Sequence, residues 1–304
     1  MTINLLHSHT EGGGIFRAVL DEVVLHALLD TLKIVGFLFL TYLLMELIEH
    51  KAGARLKGFI GKAGKLGPAL GASLGAVPQC GFSAAAANFY TGRVISLGTL
   101  VAVFLSTSDE MLPIMISGKI SAGAIFAILG YKLFSGMLVG FIIDLVLRFM
   151  RRGTEEINID ELCENDNCHC ERGVLYSALH HTLTVGSFVL LVTLAINTLV
   201  FIIGEDALGS IMYDKPFVGH LIAALFGLIP NCAVSVALTE LCLGGFITVG
   251  TMMAGLFSGA GVGVLVLFRV NKRYKENLAV LLILVVSGLV FGMLADLIGF
   301  SSLI

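Results

Sequence analysis

The strongest constraint in this sequence is a repeat at an offset of 152 residues, half the length of the chain. When Pro78 is set on Pro230, LGAVPQCGFSAAA falls on FGLIPNCAVSVAL, and the register continues without a gap from 71–146 onto 223–298. In the same register, SGMLVGFIIDL coincides with SGLVFGMLADL. The chain is therefore expected to fold as two related halves.

Both halves are too apolar for a water-soluble protein. Of the 304 residues, 57% are hydrophobic, 13% are charged and 36 are glycine, whereas a soluble domain has roughly a quarter charged residues and about 7% glycine. The formal net charge of -3, with basic residues in short clusters, disfavours nucleic-acid binding. Ten spans of about 20 residues would fit this length. The composition predicts an all-α integral membrane protein.

The charges of equivalent loops indicate that the two halves are inverted. Residues 51–65 contain five basic side chains, whereas the equivalent residues 203–217 contain one. Residues 269–275 contain four basic side chains, whereas the equivalent residues in the first half contain one. Since cytoplasmic loops are the ones enriched in Lys and Arg, equivalent loops are expected on opposite sides of the membrane. The prediction places 50–66, 150–173 and 270–275 inside, and the 204–216 loop and both termini outside.

An inverted repeat requires an odd number of crossings in each half, and we expect five. The predicted domains are a first five-helix repeat at 1–149, an acidic linker at 150–173 and a second, inverted repeat at 174–304. The third and fourth segments of each half are short for a full span, so tilted or re-entrant segments stay open as alternatives. The predicted segments are 23–49, 67–90, 94–106, 108–118 and 120–149, followed by 174–203, 217–241, 245–257, 259–269 and 276–299.

The paired motif P-[Q/N]-C-x-x-S is expected to break one helix in each half. Proline removes a backbone donor and frees a carbonyl, which a membrane tolerates only where other groups or a polar cavity satisfy it. Paired broken helices at equivalent positions are typical of transporter binding sites near the midplane. The alternative is a kink with a small cysteine used for packing. The candidate residues are Pro78, Gln79, Cys80, Ser83, Pro230, Asn231, Cys232 and Ser235.

A second feature breaks the symmetry of the repeat. STSDEM at 106–111 contains Asp109 and Glu110, whereas its equivalent SGAGVG at 258–263 has no charge. Intramembrane carboxylates usually line a substrate or proton path. A loop whose charges lie in water near the inner surface is the alternative.

Three further carboxylates lie in or beside apolar runs. Glu240, two turns beyond Asn231, is a candidate for the same path, with an interface residue or helix cap as its alternative. Asp144 and Asp296 stand in matching G-x-x-x-G-x-x-x-D contexts near helix ends. For these two, packing glycines with an interfacial acid are the favoured interpretation.

The loop at 153–172 could hold an accessory metal ion. It contains C-x4-C-H-C, formed by Cys163, Cys168, His169 and Cys170, among many carboxylates. Thiols and imidazole suit zinc or copper(I), and thiols stay reduced inside the cell. A flexible acidic linker with incidental cysteines is the alternative.

These motifs together resemble a family of ten-helix heavy-metal exporters, whose members are named arsenic efflux proteins or manganese transporters. The resemblance covers essentially the whole chain and rests on VPQCGFS, STSDEMLPIM, IPNCAVSVALTEL and GAGVGVLVLFRVNKRYKENL. It implies efflux of a metal or metalloid ion from the cytoplasm. The positions that the resemblance implicates are Pro78, Gln79, Cys80, Asp109, Glu110, Pro230, Asn231, Cys232 and Glu240.

Ligand chemistry favours a divalent cation, manganese first, because most candidate side chains offer oxygen. Arsenite or a trivalent organoarsenical is the alternative cargo, and an intramembrane thiol oxidoreductase using Cys80 and Cys232 is the alternative of another class. We expect a secondary transporter of the cytoplasmic membrane, not an enzyme, with no cofactor besides the transported ion. The expected partners are lipid and the metal or metalloid ion, without nucleic acid. The oligomeric state stays open, a homodimer included.

Overall fold

The computed structural model describes residues 66–77, 80–108, 111–150, 174–203 and 216–300. Also described are the helical residues Leu32, Val35, Gly36, Phe39, Leu40 and Leu43. Several predicted features lie outside the described residues, namely Pro78, Gln79, Asp109, Glu110, both termini, the 204–215 loop, and the linker with Cys163, Cys168, His169 and Cys170.

All regular elements in these described ranges are helices, which confirms the predicted helical class. The first half contributes α1 Gly67–Gly75, α2 Cys80–Thr91, α3 Leu97–Ser106, α4 Met111–Ser117 and α5 Ala122–Met150. The chain continues with α6 Val174–Ile203, α7 Pro216–Gly227, α8 Cys232–Leu243, α9 Val249–Ser258, α10 Val262–Val270 and α11 Tyr274–Ile298.

Four stretches of the described residues are long and apolar enough to cross a membrane. Two of them, Leu97–Ser117 and Val249–Val270, are 75% and 78% buried inside the protein. The other two, Ala122–Phe149 and Tyr274–Ile298, are each 33% buried, so most of their apolar surface faces outward. Outward-facing apolar surface on long helices is suited to lipid. The short helices therefore form the centre of the bundle, and α5 and α11 flank it.

Helices α1 and α2 form a hairpin whose outer ends both lie at the N-terminal end of α3. A Cβ on Gly67 would contact Thr99 in the first turn of α3, and a short turn joins the end of α2 to α3. The inner ends lie at the C-terminal end of α3, where Gly75 packs on Ser106 and where Ser83 and Phe104 both adjoin Gly263. The chain therefore enters the bundle along α1 and returns along α2.

Helices α7 and α8 form the equivalent hairpin in the second half. Gly227, at the inner end of α7, packs on Gly255 in α9, and Leu238 of α8 also contacts Gly255. The outer end of α8 leads directly into the Thr248 N-cap of α9. Each hairpin then packs across the bundle against a short helix of the other half, α2 on α10 and α8 on α4.

This arrangement corrects the predicted series of separate crossings. The segments 67–90 and 217–241 turn back inside the bundle, because α1 and α2 have only 9 and 12 residues and α7 and α8 have 12 each. At about 1.5 Å per residue, none of these helices can cross a hydrocarbon core about 30 Å thick. By length and composition, Leu97–Ser117 and Val249–Val270 are each one candidate span, whereas two short crossings were predicted in each of these stretches.

A carboxylate on each long helix caps the N-terminus of a short helix. Asp144 Oδ1 accepts the Gly98 N–H at 3.0 Å, and Oδ2 accepts the Ser96 hydroxyl at 2.7 Å. Asp296 makes the same two bonds in the second half, at 2.8 and 2.6 Å, to residues at the same offset of 152. Helix N-termini carry unpaired N–H groups and partial positive charge, which a carboxylate satisfies. The two acids thus have the structural role favoured by the sequence.

Glycines preceding each acid let the long helix approach its short neighbour. A Cβ on Gly140 would lie 2.6 Å from Gly98 O and 2.9 Å from the Ala102 Cβ, and a Cβ on Gly292 would lie 2.7 Å from Gly250 O. Small residues at such contacts are the usual means of close helix packing in membranes.

Substitution of two glycines on α5 by alanine is expected to have opposite effects on stability. Gly140→Ala forces α5 away from α3 and should lower the free energy of unfolding by about 1–3 kcal/mol. Gly130→Ala, with nothing within 4 Å of the added Cβ, should raise it by roughly 0.5–1 kcal/mol. Denaturant unfolding of both purified variants in one detergent measures the difference, and equal effects would contradict the packing described here.

Candidate functional site

A small cavity lies at the turn of the second hairpin, in the centre of the bundle. It leaves about 20 Å³ for the centre of a water molecule, whereas about 10–15 Å³ suffices to hold one water. Its walls come from the second hairpin, from the junction of α9 and α10, and from the end of α3. The lining residues are Thr107, Gly227, Ile229, Asn231, Val234, Ser235, Leu238, Gly255, Leu256, Gly259 and Gly261.

Two of the predicted site residues, Asn231 and Ser235, line this cavity together. Asn231 is 7% exposed. Its N–H donates to Ile229 O at 2.8 Å, and its carbonyl accepts the Val234 N–H at 3.2 Å, which closes the turn at the hairpin tip. Ser235 follows about one helical turn later and is half-buried. An amide and a hydroxyl in a small buried space are ligands suited to a hard divalent cation.

Backbone carbonyls add to this polar wall because helix ends converge at the cavity. A Cβ on Gly259 would lie 3.4 Å from Gly227 O and 3.3 Å from Gly255 O. Gly227 ends α7, and Gly255 is in the last turn of α9. Helix C-termini carry partial negative charge. The N-termini of α8 and α10 also adjoin the lining, at Asn231 and Gly261, so helix ends of both signs meet at this cavity.

Other predicted residues of the hairpins lie at different depths. Ser83 is 1% exposed and packs against Gly263 at the start of α10, outside the cavity lining. Pro230 is half-buried in the turn between α7 and α8, and Cys80 and Cys232 are the first residues of α2 and α8. Glu240 is exposed in the outer part of α8 and does not line the cavity.

The residues that flank the predicted Asp109–Glu110 pair are fully buried. Ser108 is 1% exposed and Met111 is 0% exposed. Thr107, just before them, is part of the cavity wall. The described residues on both sides of positions 109 and 110 therefore lie in the interior of the protein.

One charged residue next to the cavity was not among the predicted site residues. Lys132, in α5, is 0% exposed. Its Nζ donates to Leu256 O at 3.0 Å and lies 5.5 Å from the centroid of the Phe257 ring. Its equivalent in the second half is Leu284. The sequence pattern that could have identified Lys132 is a lysine near the middle of an apolar helix of 29 residues. An ionisable side chain at such a position costs free energy to bury and is usually functional.

A second polar contact joins the halves at the end of the bundle that carries Lys272, Arg273 and Lys275. Arg93, in the turn after α2, lies 3.3 Å from Glu276 in the first turn of α11. Tyr90 donates to the same carboxylate at 3.0 Å. The equivalent positions of Arg93 and Glu276 are glycine and alanine, so the repeat does not reproduce this ion pair.

The comparisons with known proteins give one match. The model of a family described as "Putative, 10TM heavy-metal exporter" matches residues 19–197, more than half of the chain. No curated protein and no solved structure matches. The match confirms the resemblance carried by the motifs, and it agrees with an all-helical chain whose long helices expose apolar surface. The chain belongs to this family of ten-helix heavy-metal exporters.

Proposed function

We propose that the protein is a secondary transporter that exports a divalent metal cation, manganese first, across the cytoplasmic membrane. The observation that carries this proposal is the small cavity at the hairpin turn, whose lining includes Asn231 and Ser235. Oxygen donors of this kind suit manganese better than soft ions. Family membership supports metal efflux in general.

We infer that the halves are inverted in the membrane. The contact between Arg93 and Glu276 puts the start of α3 at the same end of the bundle as the start of α11. The contact between Asp296 and Gly250 puts the start of α9 at the end of α11, which is the opposite end. Equivalent helices α3 and α9 thus begin at opposite ends. Because each hairpin returns to its own side, each half still makes an odd number of crossings.

The inverted arrangement gives the transporter a sidedness and a mechanism. The end with Arg93, Lys272, Arg273 and Lys275 would face the cytoplasm by its basic charge, which places both termini outside the cell. Alternating access would rock one half against the other around the cavity. In this mechanism the Arg93–Glu276 pair opens whenever the cytoplasmic side opens. Asp109, Glu110 and Glu240 would attract the cation, and the 153–172 loop would be an accessory site for a soft metal.

Flux through the purified protein tests this proposal. In proteoliposomes containing an entrapped metal-sensitive dye, we expect saturable uptake of Mn²⁺ and little uptake of arsenite, with protein-free liposomes as the control. Saturable flux of arsenite alone would favour the alternative cargo. The absence of flux for Mn²⁺, Zn²⁺, Cu⁺ and arsenite would overturn the transporter proposal.

The rival from another class makes a different prediction about the cysteines. A thiol oxidoreductase must cycle Cys80 and Cys232 between free thiols and a disulfide. We expect both thiols to remain free during metal flux, as measured by mass spectrometry after alkylation. Disulfide formation that accompanies turnover would favour the oxidoreductase.

A further inference from the structure

Lys132 brings a positive charge from the first half to the wall of a cavity in the second. Its Nζ binds the carbonyl of Leu256, a lining residue in the last turn of α9. The ammonium group also lies over the face of the Phe257 ring. A helix C-terminus and an aromatic face both stabilise a cation. The cavity region therefore accommodates one positive charge before any metal enters.

A metal cation in the cavity and the ammonium of Lys132 would repel each other strongly. The ammonium bonds to a lining residue of the cavity, and charges interact far more strongly in a buried site than in water. The cost falls if the ammonium releases its proton when the metal enters, which the amine chemistry of lysine allows. Arginine cannot do this, because it stays protonated in proteins.

The helices packed around Lys132 supply few other titratable groups. Helices α1, α3, α4 and α9 contain no ionisable side chain. On α5 itself, Tyr131 adjoins Lys132 and donates its hydroxyl to Phe291 O at 2.7 Å. On α11 the ionisable residues lie near the two ends, Tyr274, Lys275, Glu276 and Asp296. Asp109 and Glu110 are separated from the end of α3 by Thr107 and Ser108, and they lie outside the described residues.

We propose that Lys132 carries the proton that is exchanged for the exported metal cation, an inference that rests on the proposed function. When the cation enters from the cytoplasm, an N–H bond of the ammonium breaks, the electron pair stays on Nζ, and the proton passes to water. After the cation leaves on the far side, a proton from that side restores the ammonium. Each cycle moves one proton inward through this residue. The equivalent residue in the second half is Leu284, so only the first half carries a lysine at this position of the repeat.

The experiment measures metal uptake and proton efflux together in proteoliposomes with an acidic interior, using entrapped Mn²⁺-sensitive and pH-sensitive dyes. For the wild type, we expect the pH gradient to accelerate Mn²⁺ uptake and each Mn²⁺ to be matched by proton efflux. For Lys132→Gln, we expect Mn²⁺ to move down its own gradient with loss of both the acceleration and the matched proton efflux. Lys275→Gln, which removes an exposed lysine on α11, is the matched control and should behave as the wild type.

A second variant keeps the inference testable if Lys132→Gln does not fold, as judged by a monodisperse elution profile in detergent. Lys132→Arg retains the charge but cannot release its proton, so we expect a folded protein without Mn²⁺ flux. Wild-type proton efflux per Mn²⁺ in either variant would overturn the inference while leaving the transporter proposal intact. A folded Lys132→Gln variant that moves no Mn²⁺ would also overturn it. If the wild type itself moves no metal, the proposed function fails and this inference fails with it.

Discussion

Substitution of Asn231 by leucine is expected to abolish metal flux at low metal concentration. The side chain lines a cavity with room for about one water-sized occupant. Leucine is similar in size but offers no oxygen, so the occupant loses one ligand. Removing a buried polar partner costs about 1–3 kcal/mol, which is roughly a tenfold to hundredfold loss of affinity. Mn²⁺ uptake into proteoliposomes at several concentrations measures the change.

Two variants at the same cavity separate chemistry from packing. Ile229→Leu replaces one apolar lining residue by another and should retain most of the flux. Asn231→Asp keeps an oxygen donor and adds a negative charge, so Mn²⁺ flux should persist with altered affinity. Wild-type kinetics in Asn231→Leu would show that the cation passes elsewhere.

Removal of either capping carboxylate is expected to destabilise the protein strongly. Asp144→Ala and Asp296→Ala each delete a charged acceptor that serves a backbone N–H and a hydroxyl. Hydrogen bonds to charged groups contribute about 1.5–3 kcal/mol each, so each variant should lose about 3 kcal/mol or more of its free energy of unfolding. Thermal unfolding in detergent measures the loss.

The losses of stability in the two variants should differ because the repeat is not exact. His220 Nε2 lies 3.1 Å from Asp296 Oδ2, whereas the residue equivalent to His220 is Pro68. Asp296→Ala leaves a buried histidine without this partner, so its loss should exceed that of Asp144→Ala. Arg148→Ala, at an exposed position one turn beyond Asp144, is the matched control. A loss at Arg148 equal to that at Asp144 would contradict the capping role.

Several features of the fold could be predicted from residue patterns alone. The helical membrane class follows from apolar runs that no soluble surface could tolerate, whereas the helix breaks at the P-[Q/N]-C motifs stay a prediction. The structural role of Asp144 and Asp296 follows from their glycine-rich context. The inverted repeat remains a proposal, supported by the paired contacts at an offset of 152 residues.

The hairpins could not be predicted because hydropathy does not show whether the chain continues across the membrane or turns back. About 25 apolar residues with a break in the middle fit a kinked crossing helix and a re-entrant hairpin equally well. The turn is decided by contacts such as Gly75 with Ser106 and Gly227 with Gly255, which place the inner ends of the hairpins at the centre. In the described residues, α1 with α2 and α7 with α8 therefore form hairpins and not continuous helices over 67–90 and 217–241.

By itself, the sequence determined that the chain is a helical membrane protein and which family it resembles. Only the tertiary structure decided which polar groups share a space. It joined Asn231 to Thr107 across the two halves, brought Lys132 onto Leu256, and left Glu240 outside the cavity. The physical reason is the separation along the chain of the residues that must interact. Local patterns record how each residue suits lipid or its own helix, whereas the cavity depends on close packing between residues more than a hundred positions apart.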